Sequence, residues 1–161
     1  MTFQEIVEHI KQSLAEEFVL SVNEQASPKC IEVPAEKLVE LMAFLQSDDK
    51  LYFDSLSCIT GLDNGPEAGT MEVIYNLYSI PFNLHLMVKV TLGREKPVID
   101  SLCPLWKTAD WHEREAYDMY GIHFNGHPDL RRILMPADWE GYPLRKDYEE
   151  QKYYHGVTVK Y

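Results

Sequence analysis

Between Trp111 and Pro136 the sequence runs WHEREAYDMYGIHFNGHPDLRRILMP, and within it stand four carboxylates, Glu113, Glu115, Asp118 and Asp129, the first three within six residues. Glu113 or Glu115 with Asp118 could divide acid and base duties as in sugar hydrolysis, provided a cleft raises the pKa of one of them. Spacing supplies no cleft. Arg114 stands four residues before Asp118, the separation at which a guanidinium can fork onto a carboxylate on one helix face, so an organising network is the reading these residues favour. His112, His123 and His127 raise the question of a metal, and His123 and His127 are four apart. Asn125, Gly126 and Pro128, in or beside that interval, deny it the helix that would bring both rings to one face. His127 before Pro128 is expected to be held extended, with its ring bonded to a nearby carbonyl or carboxylate.

Other chemistries find no foothold. The chain has no Gly-x-Ser-x-Gly, and Cys30, Cys58 and Cys103 have no neighbours that would activate a thiol. Their wide, odd-numbered spacing suggests neither a disulfide framework nor a zinc or iron–sulfur cluster. The glycines of GLDNGPEAG lack the lysine and following helix of a phosphate cradle.

The elements that must position these residues are legible in outline. Phe3, Ile6, Val7, Ile10, Leu14 and Phe18 recur at helical spacing, and Leu38, Leu41, Met42 and Leu45 form a second apolar stripe after Pro34. Residues 21–29 read as a polar connection, followed by a short strand at Cys30–Val33. LYFDSLSCIT, MEVIYNLYS and LHLMVKVTL read as strands, the last with Leu84, Leu86, Val88, Val90 and Leu92 on one face. Their short connections favour an antiparallel meander, with two helices covering one face. SLCPLW is predicted as a short helix. Asp110 is the expected N-cap of a helix stopped by Gly121, with Glu113 completing a reciprocal cap. The fold class is therefore α+β: an antiparallel or mixed sheet with N-terminal helices on one face, then a short helix and an extended C-terminal segment. Residues 1–96 are read as the α+β domain, and 97–161 as a helix and an extended docking segment, continuous with the first domain.

Size and charge narrow the function. At 161 residues the chain suits one core, and no stretch approaches the 18 apolar residues of a membrane span, nor does the start resemble a secretion signal. A cytoplasmic protein is expected. Its net charge of -11 disfavours nucleic acid and anionic lipid, and the imbalance lies in residues 1–100, with 16 acids against 7 Lys or Arg. Beyond residue 100 the signs nearly balance, and Arg131, Arg132, Arg145 and Lys146 alternate with Trp139, Tyr142, Tyr148, Tyr153 and Tyr154. Arginine and aromatic side chains anchor protein interfaces. RNA binding uses the same residue types, but the acidic balance and the missing recognition module speak against it. The residues alone reach an α/β protein with a docking tail.

ERE at Glu113–Glu115, Asp118, MYGI at Met119–Ile122, GHPDLRRIL at Gly126–Leu134 and PLRKDY at Pro143–Tyr148 closely resemble the signature of the 30 kDa subunit of respiratory complex I, the C subunit of bacterial NADH:quinone oxidoreductase. Related subunits occur in chloroplast-type dehydrogenase complexes, in membrane-bound hydrogenases and in ferredoxin-linked complexes. The resemblance implies a non-catalytic, cofactor-free subunit of the peripheral arm on the cytoplasmic side of the membrane. Its implied partners are the large 49 kDa-type quinone-module subunit, the terminal iron–sulfur subunit and other peripheral-arm subunits. NAD, flavin, iron–sulfur clusters and quinone would belong to the holo-complex. Carried onto this chain, the structural or partner-contact residues are Trp111, Glu113, Arg114, Glu115, Asp118, His127, Arg131, Arg132, Arg145, Lys146, Asp147 and Tyr148. Arg114 and Asp118 are expected to organise the fold, and Arg145→Glu to weaken assembly while sparing the N-terminal fold. Tyr142 stands where the family often has histidine, and Lys107-Thr108 where Pro-Gly is more usual.

Overall fold

The computed structural model describes residues 1–159. Helix α1 (Phe3–Ser13) starts at a reciprocal cap in which the Thr2 hydroxyl accepts the Glu5 N–H and the Glu5 carboxylate accepts the Thr2 N–H. Its apolar stripe, Phe3, Ile6, Val7 and Ile10, is buried. The helix ends before Phe18, which is buried from a separate 3-10 turn at Glu16–Phe18. Strand β1 (Ser21–Asn23) occupies part of what the sequence presents as a loop, and pairs antiparallel with β2 (Cys30–Glu32). Backbone pairing, which leaves no side-chain signature in three exposed residues, accounts for the difference. Helix α2 (Leu38–Ser47) follows a 3-10 turn after Pro34 and buries the expected stripe of Leu38, Leu41, Met42 and Leu45.

The meander forms as its connections require. Strands β3 (Ser55–Asp63), β4 (Thr70–Ser79) and β5 (Leu84–Gly93) pair antiparallel in sequence order, and β2 adds to β5 in parallel. The five-stranded sheet, in order β1-β2-β5-β4-β3, is therefore mixed. Directly opposed residues share a face, so the pairs Met71 with Leu92, Val73 with Val90, Tyr75 with Val88 and Leu77 with Leu86 make one apolar surface. On it lie the apolar faces of α1 and α2 in a single buried cluster. Ala116, Ile122 and Phe124 join the same cluster, so the C-terminal third packs on the first hundred residues' core.

Helix α3 (Ala109–Tyr120) lies against β3, and parallel strands β6 (Val98–Asp100) and β7 (His123–Asn125) bracket it in sequence. Between β6 and α3 the chain makes turns rather than the expected helix, with Leu105 and Trp106 both donating to the Leu102 carbonyl. Pro104 has no N–H to continue a helix. A two-stranded hairpin of β8 (Tyr153–Tyr154) and β9 (Val157–Thr158) ends the described chain.

Gly121 stops α3 as its sequence position predicts, at φ +76°, and a Cβ there would lie 2.5 Å from the Tyr142 ring. Glycine is required twice over, by backbone conformation and by contact. The N-terminus of α3 departs from expectation. Thr108 is the cap residue and makes no side-chain cap, its hydroxyl donating instead to the Leu56 carbonyl. Ala109 and Asp110 already donate to Trp106 and Lys107, so a reciprocal cap has nothing to satisfy, and Glu113 is free to go elsewhere.

Candidate interaction site

Glu113 points from α3 into the core. Its carboxylate is fully buried and accepts from the Ser101 hydroxyl at 2.6 Å and the Leu102 N–H at 2.7 Å, so it anchors the turn before the helix. Burial pushes its carboxyl up, against the lowering effect of those two donors. The pairing with Asp118 that the spacing allowed is not made, because Asp118 bonds a separate set of donors and Glu115 is exposed; the carboxylate nearer Glu113 is Asp110, whose Oδ1 lies 3.5 Å from the same His127 Nε2 that stands 4.0 Å from Glu113 Oε2.

Cys103, Glu113 and His127 bring ligand-type atoms within 4.8 Å of one another, with Glu113 Oε2 at 3.5 Å from the sulfur and 4.0 Å from His127 Nε2. Hydrogen bonds assign the ring's proton. His127 Nδ1 accepts the Asp129 N–H at 3.0 Å, so Nε2 carries the hydrogen and donates to the Asp110 carbonyl at 3.1 Å. A proton, and no lone pair, thus faces Glu113, which suits packing and does not suit a metal. Burial also pushes the Cys103 thiol up to about 11, away from the thiolate a metal needs.

Asp118 is where sequence and structure differ most usefully. The expected Arg114–Asp118 pair does not form. The Asp118 carboxylate is fully buried and accepts three consecutive backbone N–H groups, from Ile133, Leu134 and Met135, at 3.0, 2.7 and 2.9 Å. Arg132 completes the cradle at 2.8 Å. Burial alone would raise this carboxyl, but the Met135 N–H, Arg132 and the neighbouring amides together hold it below its ordinary value. Arg114 is displaced to the Arg131 carbonyl, at 3.2 Å, with its guanidinium over the Trp111 ring. A loop of consecutive amides outcompetes a neighbour on the same helix because three fixed dipoles converge on one oxygen.

The rest of the C-terminal segment is tied down in the same manner. Arg132 also donates to the Trp139 and Gly141 carbonyls, and Arg145 donates to the Tyr120 carbonyl at 2.7 Å. Tyr142 lies under both guanidiniums. The Lys146 N–H reaches Asp63, and Asp147 pairs with Arg94. Trp139 donates its indole N–H to the Tyr148 hydroxyl. Arg145 is therefore committed to its own chain, and Arg145→Glu would loosen residues 142–148 before it touched any partner.

Asp63 and Arg94 went unnoticed in the sequence. Asp63 accepts from Arg94 Nε at 2.7 Å and Nη2 at 3.0 Å, and also from the N–H groups of Gly65 and Lys146. The Arg94 guanidinium, outweighing burial, holds the Asp63 carboxyl well below the aspartate range. Its signal was present: Asp63 follows Ile59 and Gly61 at period two on the core face of a strand, where an acid must have a partner.

These shifts carry a signed pH dependence. Asp63 and Asp118 titrate lower when folded, so their stabilisation is complete above the ordinary aspartate value of 3.8 and is lost as pH falls toward their folded values. Glu113 acts oppositely, favouring the fold most when protonated and less as pH rises from 4.5 through its raised folded value. Urea unfolding should therefore show stability falling below about pH 4. Asp63→Asn should flatten that acid limb; an unchanged limb would show that the Asp63 latch does not titrate as described.

What remains outward is a smaller set. Trp111 is 63% exposed, Glu115 is exposed, and among the described residues Arg131 pairs with the exposed Asp129. Leu134 and Leu144 are exposed large apolar residues beside the same segment. Among the described residues no helix is long and apolar enough to cross a membrane.

Comparison with known proteins places this arrangement. The family model described as "Respiratory-chain NADH dehydrogenase, 30 Kd subunit" matches residues 31–154. The C subunit of NADH-quinone oxidoreductase from Chloroherpeton thalassium is 54% identical over 73% of this chain and 49% of its own length. The chain thus spans about half the length of that relative. The corresponding protein of Chlorobium phaeobacteroides is 47% identical, covering 76% of this chain and 74% of the relative. Among solved structures, a trypsin-resistant fragment of Nqo5 is similar at TM-score 0.66 and 28% identity, over 81% of this chain and 100% of the fragment. A chain of an archaeal membrane-bound sulfane sulfur reductase shares the fold at TM-score 0.75 and 24% identity, over 91% of this chain and 85% of that chain. The match spans the helix α3, the Asp118 cradle and the segment held by Asp63, and the chain belongs to the family of the respiratory-chain NADH dehydrogenase 30 Kd subunit.

Proposed function

We propose that this chain is a non-catalytic subunit of the peripheral arm of a proton-translocating NADH:quinone oxidoreductase. It acts there as a preformed docking piece, on the cytoplasmic side of the membrane, against the large quinone-module subunit and the terminal iron–sulfur subunit. NAD, flavin, iron–sulfur clusters and quinone are held by its neighbours. The observation that carries this reading is the family match over residues 31–154, within which Asp63, Glu113 and Asp118 turn inward to shape the chain. Trp111, Glu115, Arg131, Leu134 and Leu144 are then the side chains left for partners. Lys146, Asp147 and Tyr148, with Arg132 and Arg145, hold the surface in shape.

The test is isolation from the source membranes through a tag on this chain. Peripheral-arm subunits should be recovered in fixed proportion, and deletion of the gene should abolish NADH:quinone reduction in membranes until the gene is restored. Recovery of the chain alone, with membrane activity intact after deletion, would refute the assignment.

A further inference from the structure

The His127 side chain is wholly buried, and both of its ring nitrogens are committed. Nδ1 accepts the Asp129 N–H at 3.0 Å, and Nε2–H donates to the Asp110 carbonyl at 3.1 Å. A backbone amide can only donate, so the first of these bonds exists only while Nδ1 keeps its lone pair. Protonating the ring sets a second hydrogen against the Asp129 N–H. The neutral ring is what closes the turn from His127 to Asp129.

On the other side of the ring the surroundings favour a positive charge. From α3, Asp110 Oδ1 lies 3.5 Å and Glu113 Oε2 4.0 Å from Nε2. Asp110 Oδ1 is buried and, among the described residues, accepts no hydrogen bond, a costly condition that a charged ring would relieve. Arg114, also on α3, stands with Nη1 3.9 Å from the same oxygen. From the turn before the helix comes Cys103, whose thiol burial keeps protonated, and from the loop itself come Asp129 and Arg131, paired with each other at the surface. Two carboxylates facing Nε2, with one guanidinium beside them, stabilise an imidazolium. Acceptors therefore stand ready at Nε2, while protonation leaves the Asp129 amide without its acceptor at Nδ1.

The turn governs a defined stretch of chain. Arg131, two residues beyond it, is held at its carbonyl by Arg114 Nε at 3.2 Å and at its side chain by Asp129 at 2.8 Å. Ile133, Leu134 and Met135 are fixed separately by Asp118. Opening the turn thus frees Arg131 and stops at the cradle.

We propose that His127 is an acid-operated latch: neutral, it closes the turn; protonated, it swings toward Asp110 and Glu113 and releases residues 128–131. Histidine is the side chain that ordinarily changes charge between about pH 8 and pH 5, so the closed form is complete at the upper end of that window and is lost as pH falls through it. Asp63 and Asp118 stay ionised throughout, because both titrate below 3.8, and the rest of the fold is retained. The latch is a property of this chain and is independent of what the chain docks against.

Amide exchange and NMR of the ring nitrogens, on the whole free chain, test it together. At about pH 8 the ring should report the neutral Nε2–H form and the Asp129 amide should be protected; at about pH 5.5 Nδ1 should carry a proton. Protection of Asp129, corrected for the intrinsic pH dependence of exchange, should then fall about tenfold, with Ile133, Leu134, Met135 and the sheet unchanged. His127→Asn keeps a side-chain acceptor for the amide two residues on and takes up no proton, so its Asp129 protection should be the same at both pH values. A ring still neutral at about pH 5.5 overturns the latch, as does an Asp129 amide that stays protected once the ring is charged. Loss of protection in His127→Asn equal to that of the wild type also overturns it, because another group then drives the opening. If the variant does not fold, the wild type decides by itself: Asp129 protection must fall in step with protonation of Nδ1.

Discussion

Asp118→Ala is expected to lower the chain's stability by about 3–5 kcal/mol, the range found when one partner of a buried charge network is deleted. The substitution orphans the N–H groups of Ile133, Leu134 and Met135 and leaves Arg132 without the carboxylate it faces at 2.8 Å. Against a typical total of about 5–15 kcal/mol, that is a large fraction. The loss should be local first. Residues 131–142 depend on the cradle and on Arg132's further bonds to Trp139 and Gly141, whereas the sheet core does not. Urea unfolding should thus show a lower midpoint, and amide exchange should show residues 133–135 opening well before β4 and β5. Asp118→Asn keeps an acceptor and removes the charge, so about half the loss is expected. If Asp118→Ala unfolds at the wild-type urea midpoint, the cradle does not hold this segment.

Asp63→Ala is the second large effect, at about 3 kcal/mol, because it removes a buried carboxylate that joins three parts of the chain. Its side chain is 1% exposed and accepts from Arg94, from Gly65 and from the Lys146 N–H. Arg94 would keep only Asp147, which is 49% exposed and screened by solvent. The visible consequence should be release of residues 144–148, read as faster trypsin cleavage after Arg145 and Lys146. Asp147→Ala supplies the contrast. It touches the same guanidinium from the solvent side, where water screens the pair, and should lower stability far less than Asp63→Ala does. Equal losses from Asp63→Ala and Asp147→Ala would mean that burial of Asp63 contributes nothing to the latch.

Both effects rest on residues the sequence exposes unequally. Asp118 stands out within its motif, yet helical spacing assigned it Arg114, four residues away and on the same surface. Asp63 sits in a stretch that reads as the approach to a turn, and its partners are 31 and 83 residues distant in sequence. Local pattern can place an acid on an apolar face and so announce a missing partner. It cannot say which of several distant cations arrives.

Periodicity by itself determined a good deal of this protein. The stripes Phe3–Ile10 and Leu38–Leu45, the alternation through β4 and β5, the glycine stop at Gly121 and the membership signalled by the Glu113–Tyr148 motifs are all short-range properties, set by 3.6- and 2-residue repeats or by residue identity at fixed spacing. Tertiary structure decided what the polar residues do. Glu113 left its expected cap to anchor Ser101 and Leu102, Asp118 exchanged an arginine on its own helix for three backbone amides, and Arg132 and Arg145 turned inward to carbonyls. The physical reason is that burial makes an unpaired charge costly while leaving its partner unspecified. The choice falls to whichever donors the packed chain brings within hydrogen-bonding distance, and those lie beyond the reach of any local repeat.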